Sequence, residues 1–239
     1  YKNIFKYFFY IILRTMSSDR YYANIAATAI EKNYNNEEIA FFNQGWKVNV
    51  IKSTEKFITL KVEFFDKITY MFCNIYLKEP NDNLEEYFKK INDNIVTNVP
   101  EKKGKILLNV WNVYLECQQE YNDFYNEYSD EDIIFTGHGI NGSVAGVAAG
   151  IFNVNSILFA PIPYMAEKKW LQNHSFDKKP MTLVNKNDPY VGNYRQWFQI
   201  YWETSKHYFV EYISNGYWVE SHSISSYVKY FKNKTYNLC

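Results

Sequence analysis

The sequence predicts a single α/β domain, a central, mostly parallel sheet flanked by helices. Three observations predict it. From Trp46 onward, short apolar runs of strand length alternate with segments of helical spacing. The middle of the chain, Asp132 to Ile151, reads as a strand, a Gly-rich turn and a helix of small residues. Finally, 239 residues that are 47% hydrophobic and 22% charged are enough for one large domain or two small ones. No repeat, low-complexity tract or Pro/Gly-rich linker divides them, so the expected domain is 1–239, with 1–42 as an N-terminal helical segment packed on it.

The elements follow in chain order. Ile4 to Arg14 is strongly apolar but well short of the ~20 residues a membrane-spanning helix needs. It reads as a first helix packed on the core, with a signal-sequence remnant as the alternative, and the chain opens at Tyr1 like a trimmed one. Tyr21 to Lys32 fits a compact helix, with Ala23, Ala26, Ala27 and Ala29. Trp46–Ile51, Phe57–Phe65 and Ile68–Asn74 are strand-like, the last two joined by a tight turn at Asp66-Lys67. Lys78 to Val96 is polar, with Leu84, Tyr87, Phe88 and Ile91 at helical spacing. Leu107, Trp111, Tyr114 and Leu115 mark one face of a longer helix. After the central unit come two short buried strands, Ser156–Ala160 and Met181–Val184. Tyr208–Ile213 and Tyr217–Val219 flank Ser214-Asn215-Gly216, a hairpin signal. His222 to Phe231 spaces Ile224, Tyr227, Val228 and Phe231 like a helix.

Composition excludes several function classes. Lys+Arg and Asp+Glu are both 26, so the net charge is zero and the basic surplus of a nucleic-acid binder is missing. No nucleic-acid partner and no transmembrane span are expected. The three cysteines, Cys73, Cys117 and Cys239, form no CxxC or Cys/His cluster, which argues against a structural zinc site and allows at most one disulfide. No metal or organic cofactor is implied. Aromatic content is high, 20%, with 23 Tyr and 18 Phe. Tyr abounds together with Asn, Lys and Ile, which reads as compositional bias. Tyr also lines amphipathic clefts well. Three sequons occur, at Asn141, Asn173 and Asn233, and the expected localisation is secreted or lumenal.

The central unit has the chemistry of a nucleophile elbow. Such a turn lifts its middle residue, in a strained conformation, above the sheet, and glycines on either side relieve the clashes. Gly137 and Gly142 supply those glycines, Gly139 occupies the middle, and Asn141 fills a further glycine slot as a residue that tolerates left-handed backbone. The segment Ile133-Ile134-Phe135-Thr136-Gly137-His138-Gly139-Ile140-Asn141-Gly142-Ser143 resembles the strand and T-G-H-S-L-G-G motif of the class 3 (fungal-type) triacylglycerol lipases. Val184-Asn185-Lys186-Asn187-Asp188-Pro189 is similar to that family's V-N-x-x-D-x-V-P, and Ser221-His222 to Tyr227 to its H-x-x-x-x-Y. Ile68 to Ile75 matches in pattern its oxyanion strand, and Leu107 to Trp111 its V-H-x-G-F. The resemblance covers most of the chain after about Asn43.

It implies an α/β-hydrolase fold with Gly139, Asp188 and His222 at the triad positions and Ile75 and Ile140 as oxyanion N–H donors. In an active enzyme of this type the His takes the nucleophile's proton, and the Asp fixes its tautomer. It also implies a lipid or fatty acyl ligand and a lid remnant near Leu84–Ile91. Several positions depart from the family pattern. Gly139 stands where the nucleophilic Ser belongs, Cys73-Asn74-Ile75 replaces Arg-Gly-Thr, Leu108 and Val110 replace a His and a Gly, and Ala160 replaces a Gly. His138 is expected to be structural. Ser143, one helical turn past the apex, is expected to lie on the helix and not at the apex, a poor substitute nucleophile. Three readings follow. The first is an inactive pseudolipase that binds a lipid or a protein partner. The second is a true ester hydrolase whose Ser was changed to Gly139. The third is a protein-interaction module that keeps only the scaffold. Apart from these, a gap at Gly139 in which His222 orients a water as general base is the remaining catalytic alternative.

Overall fold

The computed structural model describes residues 19–31, 46–78, 96–98, 105–162, 180–185, 188, 206–210 and 222–235. β1 (Trp46–Ser53), β2 (Phe57–Phe64) and β3 (Lys67–Asn74) form an antiparallel meander. β4 (Val96–Asn98) and β5 (Lys105–Leu107) make a separate two-stranded ladder. β6 (Asp132–His138) pairs in parallel with β3, and β7 (Asn155–Phe159), β8 (Met181–Asn185) and β9 (Lys206–Val210) extend the parallel part. Among the described residues the main sheet thus has seven strands, in the order β1-β2-β3-β6-β7-β8-β9. The described helices are residues 19–31 (α1), Leu108–Tyr128 (α2), Gly139–Phe152 (α3) and Ile224–Thr235 (α4).

The sheet is covered on both faces, as a parallel sheet must be. On one face α2 and α3 pack Val110, Tyr114, Cys117, Tyr121, Phe124, Val144 and Ala148 against Phe57, Phe72, Ile133, Phe135 and Leu158. On the other, the alanines of α1 and Tyr227, Val228 and Phe231 of α4 pack against Leu60, Met71, Ile134, Ile157, Phe159 and Leu183. Small side chains let both α1 and α3 lie close to the strands. Aromatic rings fill the first face: Phe57 stacks on Phe72 at 4.5 Å between centroids, and Tyr121 meets Phe135 edge-on at 4.9 Å.

The expected strands of the meander are all present, with two shifts. The tight turn is Phe65-Asp66, one residue earlier than the polar pair suggested, because Phe65 itself takes the left-handed conformation (φ 54°) and points to solvent. β1 runs on to Ser53, and its register with β2 slips between Val50 and Lys52, leaving exposed Ile51 as an extra residue. The long helix α2 is rotated relative to the expected face. Its buried stripe is Val110, Tyr114, Cys117, Tyr121 and Phe124, whereas Leu115 is 47% exposed. The apolar segment before residue 19, the amphipathic segment around Leu84–Ile91 and the Asn215-Gly216 hairpin lie outside the described residues. Among the described residues no helix is long and apolar enough to cross a membrane, and no group of three metal-ligating side chains forms.

Cys73 and Cys117 are free thiols in the cores on opposite faces of the sheet, and Cys239 lies outside the described residues. Burial pushes the Cys73 thiol far above its ordinary range and Cys117 up to about 12. Thiolate is the reactive form, so native protein at mildly alkaline pH is expected to leave both unalkylated by iodoacetamide, while denaturant exposes both. Peptide mapping by mass spectrometry reads this, and native labelling of either residue would contradict the packing.

Candidate functional site

The carboxyl ends of β3, β6 and β8 converge with the N-termini of α3 and α4, which is where open α/β sheets hold their ligands. β6 ends in His138, whose backbone is extended, and the chain turns at once into α3. Gly139, first residue of that helix, sits at φ 56°, the strained apex that an elbow demands. The turn is tight. A Cβ on Gly137 would lie 2.5 Å from the Asn141 carbonyl oxygen, and one on Gly142 would lie 2.9 Å from the Gly137 carbonyl oxygen. Both glycines are therefore required by close backbone approach. Asn141 is not in the left-handed region, contrary to the expectation that it fills a glycine slot for that reason. Its side chain is what matters, as described below.

Asp188 and His222 meet. The His222 Nδ1–H donates to Asp188 Oδ2 at 2.7 Å, and both side chains are almost wholly buried. With Nδ1 as the donor, neutral His222 carries its lone pair on Nε2. Two further residues hold this pair. Asp188 N–H donates to the Asn185 carbonyl at 3.0 Å, and Asn185 N–H donates to the Tyr227 hydroxyl at 3.1 Å, so Tyr227 fixes the end of β8 from the turn of helix after His222. His138 Nε2–H donates to the His222 carbonyl at 2.5 Å, and the two imidazoles stand 4.9 Å apart. His138 thereby ties the residue before the apex to the residue that carries the base.

Ser143 is buried on α3 and its hydroxyl donates to the Ile162 carbonyl at 2.6 Å, with a longer contact to the Gly139 carbonyl at 3.3 Å. It staples the helix to the chain after β7 and is not at the apex. Ala160 keeps a left-handed backbone (φ 41°), the conformation for which a glycine is the ordinary choice. Asn141, although part of a sequon, is buried and bonded, which excludes glycan attachment in the folded protein.

The backbone N–H groups of Ile140 and Ile75, the two expected oxyanion donors, stand in different surroundings. Ile140 is the second residue of α3, where helix N–H groups have no acceptor within the helix. Ile75, by contrast, donates its N–H to the Lys56 carbonyl at 2.9 Å, because the chain leaving β3 is still bonded to the turn before β2. Its neighbours are committed too. Tyr76 N–H donates to Asn74 Oδ1 at 3.0 Å, and Leu77 N–H to Asn141 Oδ1 at 3.1 Å. Asn141 Nδ2 returns a bond to the Leu77 carbonyl at 2.7 Å, and Asn74 Nδ2 donates to Tyr121 Oη at 3.1 Å. Sequence reasoning did not assign these two amides a role. The available signal was that Asn74 and Asn141 both stand where the resembled motifs have Gly. A cavity of about 150 Å³ lined by Tyr22, Lys67, Asp132 and Asn155 opens at the other end of the parallel strands, remote from the elbow.

The sheet order and the helical layers are those of the α/β-hydrolase fold. Solved structures with this arrangement include the Rhizomucor miehei lipase in complex with its propeptide (TM-score 0.55, 12% identity, 91% of this chain and 79% of that one). A Yarrowia lipolytica lipase (0.51, 13%, 84% and 81%) and a Rhizopus microsporus var. chinensis lipase (0.50, 17%, 74% and 68%) share it as well. At such identities the likeness is one of fold. No family model and no curated protein matches the chain by sequence.

Proposed function

We propose that this chain is a pseudolipase: a lipase-type α/β-hydrolase domain that does not cleave esters and acts by binding, with a lipid or fatty acyl group as the ligand. The observation that carries this reading is Gly139 at the apex, in the conformation of a nucleophile and with no atom to attack. Removing a triad nucleophile costs on the order of 10⁶ in turnover, and the ~10³–10⁴ that survives elsewhere comes from the oxyanion hole and binding. The residues after β3 spend their N–H groups on the protein itself, which lowers that residue of activity further. The lipid ligand is supported by the fold neighbours, which are lipases.

The test is hydrolysis of a short-chain p-nitrophenyl ester by wild type and His222→Ala. Both are expected to match the uncatalysed rate. A loss of about tenfold or more on removing His222 would instead reveal general-base catalysis through a water and overturn the inactive reading. Lipid extraction and mass spectrometry of purified protein are expected to recover an acyl compound. Recovery of none would favour a scaffold that binds protein.

A further inference from the structure

The parallel strands hold a cavity of about 150 Å³ at their amino-terminal ends, on the sheet face that α1 covers and away from the elbow. The strand register builds its floor. Thr69 of β3 pairs with Asp132 of β6, Ile134 of β6 with Asn155 of β7, and Ile157 of β7 with Met181 of β8. Paired residues of neighbouring strands share a face, so these pairs form three steps across the sheet, and all of them line the cavity. Polarity falls along the steps. The first offers a hydroxyl and a carboxylate, the second an aliphatic chain and an amide, and the third only the buried apolar chains of Ile157 and Met181. α1 supplies a wall at the polar step. Tyr22 Oη and Thr69 Oγ1 are hydrogen-bonded at 2.7 Å, and the Tyr22 ring stands edge-on to Trp46 at 5.2 Å. Lys67 and Asp19 complete the polar end.

From this gradient we infer that the cavity is a binding site for a small organic ammonium ion, a primary amine held at the Thr69–Asp132 step with a short alkyl chain laid over Ile157 and Met181. The inference goes beyond the pseudolipase reading and does not depend on it. Charge selects the amine. The carboxylates of Asp19 and Asp132 face a single ammonium, Lys67, so the polar end carries an excess of negative charge. Lys67 Nζ–H donates to Asp132 Oδ2 at 2.9 Å, and Oδ1 of the same carboxylate keeps its lone pairs for a second cation. The Tyr22 and Thr69 hydroxyls share one hydrogen between them and have further lone pairs to accept N–H groups. Burial raises the Tyr22 phenol above its ordinary pKa, so it stays a neutral hydroxyl. Size selects the chain. A cavity of about this volume takes a molecule the size of benzene, which corresponds to about six heavy atoms.

Calorimetric titration of the full chain at neutral pH with n-pentylamine, 1-pentanol and pentanoate tests the site. A charge-assisted hydrogen bond outweighs a neutral one, so pentylamine is expected to bind about fivefold or more tighter than pentanol. Pentanoate, which meets the excess carboxylate, is expected to bind weakest. Shortening the amine to propylamine removes two buried methylenes and is expected to cost about tenfold. Asp132→Asn keeps the shape of the polar step and is expected to erase the pentylamine advantage while leaving pentanol unchanged. Lys67→Gln removes the competing ammonium and is expected to strengthen pentylamine binding. Both side chains are about half exposed, so neither substitution disturbs the core. Amide chemical shifts followed during the titration locate the ligand, with changes expected at Thr69, Ile134 and Ile157 and none at Gly139 or Ile140. Absence of pentylamine binding up to about 10 mM would overturn the site. So would pentanol or pentanoate binding as tightly as the amine, an advantage that survives Asp132→Asn, weaker pentylamine binding in Lys67→Gln, or shifts confined to the elbow.

Discussion

Gly137→Ala is expected to destabilise the fold by about 3 kcal/mol, the upper range for overpacking a close contact. The new methyl would sit 2.5 Å from the Asn141 carbonyl oxygen, 2.6 Å from its carbon and 2.8 Å from the Gly142 nitrogen. All three are backbone atoms in the first turn of α3, so no side chain can swing aside. Relief requires β6 and α3 to part, and that junction carries the elbow and part of one core. Domains of this size lose roughly 2–4 °C in Tm per kcal/mol, which gives a drop of roughly 6–12 °C in a thermal melt. A melt within about 2 °C of wild type would show that the junction is looser than its geometry implies.

Tyr121→Ala carries the second large expectation, a loss of about 3–5 kcal/mol. The ring is fully buried on α2 against Phe57, Phe72 and Phe135, and its removal leaves a cavity in the middle of the aromatic face. Burial also pushes the phenol well above its ordinary pKa, so it remains a neutral hydroxyl. That hydroxyl accepts from Asn74 Nδ2, whose Oδ1 in turn holds Tyr76 N–H. Tyr121→Phe separates the two roles. It keeps the ring and strands a buried amide donor, at a cost of about 1–3 kcal/mol. Urea denaturation midpoints of the two variants measure the difference, and a Phe variant as stable as wild type would mean that Asn74 finds another acceptor.

Much of this arrangement was legible in the sequence. The small-residue helix after Gly137-His138-Gly139 announces an elbow, because only a tight strand-to-helix turn needs glycines at those offsets. The order of the Gly139 position, Asp188 and His222 along the chain foretold a pair that does meet in space. Local patterns failed where tertiary packing decided. Leu115 looked like a core residue by spacing from Leu107, but the sheet selects the stripe through Val110, Cys117 and Phe124. Ile75 looked like a donor because every non-proline residue has an N–H. Whether that N–H is spent depends on the Lys56 carbonyl, which belongs to a different strand connection. The roles of Asn74 and Asn141 depend likewise on partners 47 and 64 residues away in the chain, Tyr121 and Leu77.

The irregularity at Ile51 bears on how copies of the molecule behave toward each other. Among the described strands β1 lies at the end of the sheet order, where its outer backbone groups would offer a template for a neighbour's strand. An extra residue in mid-strand breaks the even spacing of those groups, and exposed Lys47 and Lys52 on either side of it put positive charge where two identical edges would have to meet. In a chain so rich in aromatic and β-prone residues, this bent and charged border disfavours edge-to-edge growth into aggregates.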